Sequence, residues 1–169
     1  MSWSRQDDAS RRGYHHGNLR EALIRAALDL IAEKGPAGFT FADAARSAGV
    51  SSAAPYRHFR DRQALLADVA RRGFELFEER LRRAWNEGRP DPFAAFENVG
   101  RAYLAFAREE PAFYSAMFEA GLPLDGDPDL REAADRAFAV LRRAADAFCA
   151  RLPSDRRPPA LMIDRKSVV

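Results

Sequence analysis

FTFADAARSAGVSSAAPYRHFRDRQALL, Phe39 to Leu66, reads as two short helices joined by a glycine turn and followed by the start of a long third helix. Thr40 is placed to cap a helix from about Phe41 to Ala48, because its hydroxyl can accept from one of the first orphan amides. Gly49 ends that helix, since glycine tolerates the left-handed backbone of a tight helix-to-helix turn, and Val50 then plugs the angle between the two helices. Ser51 is read as the cap of the next helix, about Ser52 to Phe59. Pro55 lies in its first turn or just past it, where a missing N–H is tolerated at the expense of weakening the turn. Ala44, Ala45 and Ala48 are small enough to let the second helix close on the first. This spacing is that of a helix-turn-helix, the unit that presents its second helix to the major groove of DNA.

Working outward, Asn18 with Glu21 forms a capping-box-like start to a first helix that buries Leu19, Leu23, Ala27, Leu30 and Ile31 and ends at Gly35-Pro36. Asp61 caps a long helix reaching about Trp85, with Leu65, Leu66, Val69, Phe74, Phe77 and Leu81 on its inner face. Asp91-Pro92 and Asp127-Pro128 repeat one device, a carboxylate cap followed by proline at the first helical position. They open helices to about Glu109 and about Leu152, with a short helix from Pro111 and a loop from Gly121 to Gly126 between them. No segment alternates with the period of a strand, and no repeat occurs. The fold class is therefore all-α: an N-terminal three-helix helix-turn-helix domain over 18–66, then a helical bundle over 67–162. Residues 1–17 read as a basic arm. Arg5, Arg11, Arg12, His15, His16 and Arg20 would there meet phosphates or the minor groove, or else stand in solvent.

Composition limits the function classes. The chain has 169 residues, 47% hydrophobic and 31% charged, with no apolar run near the roughly 20 residues of a membrane span and no signal peptide, so it is expected in the cytoplasm. One cysteine, Cys149, and three histidines leave no disulfide and no metal-spaced cluster. Net charge is +4 over residues 1–72 and −2 over the rest, an asymmetry that fits a DNA-reading half beside a partner half. There is no phosphate-cradling glycine loop and no nucleophile elbow. An enzyme is not expected, nor a cofactor.

The motif Gly49-Val50-Ser51, four residues, Tyr56-Arg57-His58-Phe59, with Gly38-Phe39-Thr40 before it and Asp61-Arg62-Gln63-Ala64-Leu65-Leu66 after it, resembles the DNA-binding half of the tetracycline-repressor (TetR/AcrR) family of bacterial transcriptional regulators. Tyr14-His15-His16-Gly17-Asn18-Leu19-Arg20 and the stretch Asp91 to Gly121 resemble the subgroup whose sensor is called a WHG domain. The resemblance implies a phosphate clamp of Thr40, Tyr56, His58 and Arg62, with Thr40 also readable as a cap alone and Tyr56 as half-buried against its neighbour. Base readout would fall to Ser51, Ser52, Ala53, Ala54 and Arg57. Only Arg57 has the fork that selects guanine, and it reads equally as a phosphate contact or a plain surface charge.

For the C-terminal half the resemblance implies a pocket for a small, mostly apolar effector, with Phe77, Phe96, Tyr103, Phe106, Phe113, Tyr114, Met117 and Phe138 as candidate lining. Each is also what a helical core needs at that spacing, and the phenols of Tyr103 and Tyr114 are the groups that call for a polar partner. The expected protein is a homodimer on a double-stranded operator, a repressor released by its ligand. An activator and a nonspecific architectural DNA binder stand as alternatives. Ile163 to Val169 resembles a translated sequencing adapter, or else is a short polar C-terminus; complete members of the family continue into further helices that form the dimer interface, so the adapter reading implies a truncated chain with an incomplete bundle. From this follow two further expectations: an exposed apolar face on the helix after Pro128, and poor dimerisation.

Overall fold

The computed structural model describes residues 19–156; the basic arm, the Asn18 cap and the 163–169 tail lie outside them. The described chain forms six α-helices: α1 Leu19–Lys34, α2 Phe41–Ser47, α3 Arg62–Trp85, α4 Pro92–Glu109, α5 Pro111–Phe118 and α6 Pro128–Ala150. Caps set most of these boundaries. Thr40 and Asp43 form a full capping box at the start of α2, with Asp43 N–H donating to Thr40 Oγ1 at 3.1 Å and Thr40 N–H to Asp43 Oδ2 at 2.9 Å. Asp61 accepts from Ala64 N–H at 2.8 Å, Asp91 from Phe93 and Ala94, and Asp127 from Asp129 and Leu130. Each such cap is worth about 1 kcal/mol.

At the end of α2, Val50 N–H reaches Ala45 O at 3.0 Å and Gly49 N–H reaches Arg46 O at 3.1 Å, with Gly49 at φ +70°. This pair of bonds is a Schellman closure, and its left-handed residue is why glycine stands there.

The second helix of the motif differs from the sequence reading. Instead of an α-helix over about Ser52 to Phe59 capped by Ser51, there is a 3-10 turn, Ala54–Arg57, with no side-chain cap. Pro55 is the reason: an α-helix would need its N–H to bond back to Ser51 O, and it has none. Ala54 N–H takes that carbonyl at 3.0 Å instead, and His58 and Phe59 N–H share Pro55 O at 2.9 and 3.0 Å.

α3 is the axis. Its 24 residues span about 36 Å, and it passes residue 66 unbroken, packed against α1 near one end and against α4, α5 and α6 along the rest. Leu23, Leu65, Val69, Phe74, Phe77, Phe106, Leu130 and Ala137 belong to one contiguous buried cluster, so head and bundle share a core. α5 also reaches back to touch α1.

The expectation of an exposed apolar face on α6 is not met. Leu130, Ala133, Ala134, Ala137, Val140 and Ala144 are buried, because α3 and α4 cover that side. The exposed large apolar side chains of the bundle lie on α4, at Phe93, Phe96 and Leu104, with Leu124 in the following loop region.

Candidate nucleic-acid interface and aromatic cluster

The head places its expected reading residues on one protruding turn. Pro55 and Phe59 are buried beneath it, while Ser51, Ser52, Ala53, Tyr56, Arg57 and His58 are exposed and Ala54 is half-buried. Tyr56 is 62% exposed although its ring edge rests on Phe41, centroids 5.0 Å apart. The ring is thus braced on one side while most of the side chain stands in solvent.

Two members of the expected clamp are engaged within the protein. Thr40 Oγ1, besides capping α2, donates its proton to Asp43 Oδ2 at 2.7 Å. Arg62 donates from Nη2 to the Pro36 carbonyl and lies over the Phe39 ring, 4.7 Å from its centroid. It thereby ties the start of α3 to the loop between α1 and α2.

Arg20, grouped by sequence with the basic arm, instead belongs to the first turn of α1 and pairs with Asp68 at 3.1 Å. Asp68, 6% exposed, was not legible as a site residue. Its Oδ1 also accepts from Arg71 Nη2 at 2.7 Å, and Arg72 beside it grips Glu21 of α1 through both carboxylate oxygens, one at 2.6 Å. Burial works to raise the Asp68 carboxyl, but hydrogen bonds from Arg71 and Arg20 outweigh it and hold the group below the ordinary aspartate range. The Arg72 hydrogen bond holds Glu21 low in the same way. A groove of about 560 Å³ opens above these residues, lined by Arg20, His58, Phe59, Asp68 and Arg71 on one side and by Asp129, Glu132 and Arg136 of α6 on the other.

In the bundle the aromatic candidates close on one another. Phe77 meets Phe106 at 4.9 Å and Tyr103 at 5.2 Å, Tyr103 meets Tyr114 at 6.5 Å, and Phe138 meets Phe74 at 5.9 Å. Phe118, absent from the expected lining, connects Tyr114, Phe74 and Phe138. Phe77 and Phe106 are fully inside, and Tyr103, Phe113, Tyr114, Met117 and Phe138 are half-buried. Burial pushes the Tyr103 phenol up to about 12, helped by its hydrogen bond with Tyr114. Phe96 does not join them: it is 37% exposed and stacks on Phe148 at 4.7 Å.

A glycine-closed helix and a short protruding turn, braced by a third helix and continued by a long connector into an aromatic bundle, define a helix-turn-helix head on a helical sensor-like body. Residues 23–69 match the family described as bacterial regulatory proteins, tetR family, and residues 96–165 match the tetracyclin repressor-like C-terminal domain. The chain belongs to the tetR family, whose members are transcriptional regulators and not enzymes.

It is 32% identical over 136 residues to the HTH-type transcriptional regulator CymR of Pseudomonas putida, covering 80% of this chain and 64% of that one. Among solved structures, a protein with unknown function from Rhodococcus sp. RHA1 is similar at 34% identity and a TM-score of 0.67, over 84% of this chain and 75% of that one. The TetR family transcriptional regulator PfmR from Thermus thermophilus has the same fold at 22% identity and a TM-score of 0.63, over 76% and 70% of the two chains. No helix among the described residues is long and apolar enough to cross a membrane.

Proposed function

We propose that the protein is a sequence-specific DNA-binding regulator of transcription, a repressor acting in the cytoplasm as a homodimer on a pseudo-palindromic operator and released by a small apolar effector. The observation that carries the reading is the turn itself: Tyr56, Arg57 and His58 stand exposed in sequence over a buried Pro55 and Phe59. Tyr56 and His58 position the head on phosphates, Arg57 reads a base edge, and Ser51, Ser52, Ala53 and Ala54 make the close approach. Thr40 orients α2 and Arg62 holds the loop before it, because the Thr40 hydroxyl is taken by Asp43 and the Arg62 guanidinium donates to the Pro36 carbonyl and lies on the Phe39 ring. The effector enters among Phe77, Tyr103, Phe106, Phe113, Tyr114, Met117 and Phe138, and it must favour the arrangement that does not bind DNA.

The test is selection of a duplex from a randomised pool, followed by shift assays on it with Tyr56→Ala and Arg57→Ala. Uniform weakening is expected for the first and an altered base preference at one position for the second. A wild-type chain that binds every duplex alike, with only a salt dependence, would make it an architectural binder instead.

A further inference from the structure

We infer that Asp68 is a positioning residue for the turn 54–57, acting through Arg20 and Phe59. This rests on the reading of that turn as the DNA-contacting element. Asp68 is the buried charged side chain among the described residues, set in α3 between Leu65, Leu66 and Val69, all fully buried. A carboxylate in that company needs partners to be tolerated, whereas an apolar side chain would need none. What the carboxylate adds is direction. Asp68 Oδ1 holds the Arg20 guanidinium at 3.1 Å, and Arg20 lies over the Phe59 ring, 4.9 Å from its centroid. Phe59 in turn donates its backbone N–H to Pro55 O, closing the turn that carries Tyr56, Arg57 and His58.

The connector therefore grips the turn through a side-chain relay as well as through the backbone at Arg60 and Asp61. A groove opens over Arg20, His58, Phe59 and Asp68, so the relay runs along its floor. A change in the direction of α3 reaches the turn through this relay. Glu21 and Arg72 keep α1 in step with α3 meanwhile, so that Arg20 stays within reach of its partner.

Hydrogen exchange on the full chain tests the relay without DNA. Asp68→Asn removes the charge at constant shape, and Phe59→Leu keeps the ion pair but removes the ring face. Each is expected to speed exchange of the amides at 54–59 by about tenfold while amides of α4 and α6 stay as in wild type. The double variant is expected to match the larger single effect, since both cuts lie on one path. Unchanged exchange at 54–59, acceleration spread evenly over all helices, or full additivity would overturn the relay. Should Asp68→Asn fail to fold, Arg20→Met, which cuts the link to Asp68 while leaving that carboxylate its Arg71 partner and Phe59 its place in the core, decides between local and general acceleration.

A second arm measures affinity for the duplex selected by wild type. Loss of about tenfold, or 1.4 kcal/mol, is expected in either single variant, and wild-type affinity in a variant with a loosened turn would remove the DNA consequence. If wild type selects no sequence at all, it is the DNA-reading proposal that fails, and the exchange comparison still judges the relay.

Discussion

Gly73 and Met117 meet so closely that a Cβ on residue 73 would stand 2.7 Å from the Met117 sulfur and 3.2 Å from the Phe113 ring. Residue 73 lies inside α3, where glycine costs about 1 kcal/mol of helix propensity relative to alanine. That cost is offset by letting α5 rest directly on the connector. Gly73→Ala regains the propensity but overfills the contact, an effect of about 1–3 kcal/mol, so a net loss of up to about 2 kcal/mol is expected in urea unfolding. In a Met117→Ala background only the Phe113 ring at 3.2 Å still crowds the new methyl, and the loss from Gly73→Ala should shrink or reverse. The same loss in both backgrounds would mean that the sulfur contact is not the cause.

Thr40 separates two roles that the sequence left superposed. As a cap it accepts from Asp43 N–H, and its hydroxyl proton is committed to the Asp43 carboxylate. Thr40→Ala should cost about 1 kcal/mol of stability, and Thr40→Ser should restore it. Binding to a selected duplex should weaken in Thr40→Ala with the salt dependence intact. A slope shallower by about one would instead assign Thr40 a phosphate of its own.

Arg62 gives the sharper form of that comparison. Its guanidinium lies over Phe39 and donates to the Pro36 carbonyl, and its Nε is buried without a partner. Lysine cannot reproduce a planar group lying on a ring while donating sideways. Arg62→Lys should therefore lower the unfolding midpoint although the charge is kept, and the salt slope of DNA binding should not change. Unaltered stability with a shallower slope would return Arg62 to the phosphate clamp.

Most helix starts of the described chain were legible from their caps. Thr40, Asp61, Asp91 and Asp127 all do what their residue types imply, and Gly49 takes the left-handed backbone. These are local devices, written within four residues of where they act. The 3-10 form of the second motif helix was legible in principle at Pro55, whose missing N–H falls on the bond to Ser51 O; the cap signal at Ser51 outweighed it. Asp68 was hidden by the apolar stripe around it, because a carboxylate among Leu65, Leu66 and Val69 looks like a register slip until Arg20, far earlier in the chain, is seen beside it. The α6 face was misjudged for a different reason. The expectation came from the further helices of complete family members, whereas within this chain α3 and α4 already cover that side and leave Phe93, Phe96 and Leu104 outside.

Acid should expose the head-to-connector ion cluster. Asp68 and Glu21 both titrate below their ordinary values, the first held by Arg71 and Arg20 against its burial and the second by Arg72. A carboxylate depressed in the folded state binds its proton more readily when unfolded. Its contribution is therefore complete above the unfolded pKa of about 4 and is lost as pH falls through the lower folded value. The urea midpoint of wild type should hold between about pH 7 and pH 5 and then drop steeply toward about pH 3. Asp68→Asn should begin lower at neutral pH, since Arg20 and Arg71 lose a partner, yet fall less on acidification because one of the two groups is gone. Equal acid slopes in the two proteins would show that the carboxylate holding Arg20 is not what acid releases, and would move the cause to carboxylates elsewhere, among them Asp43, which its Thr40 hydrogen bonds also keep low.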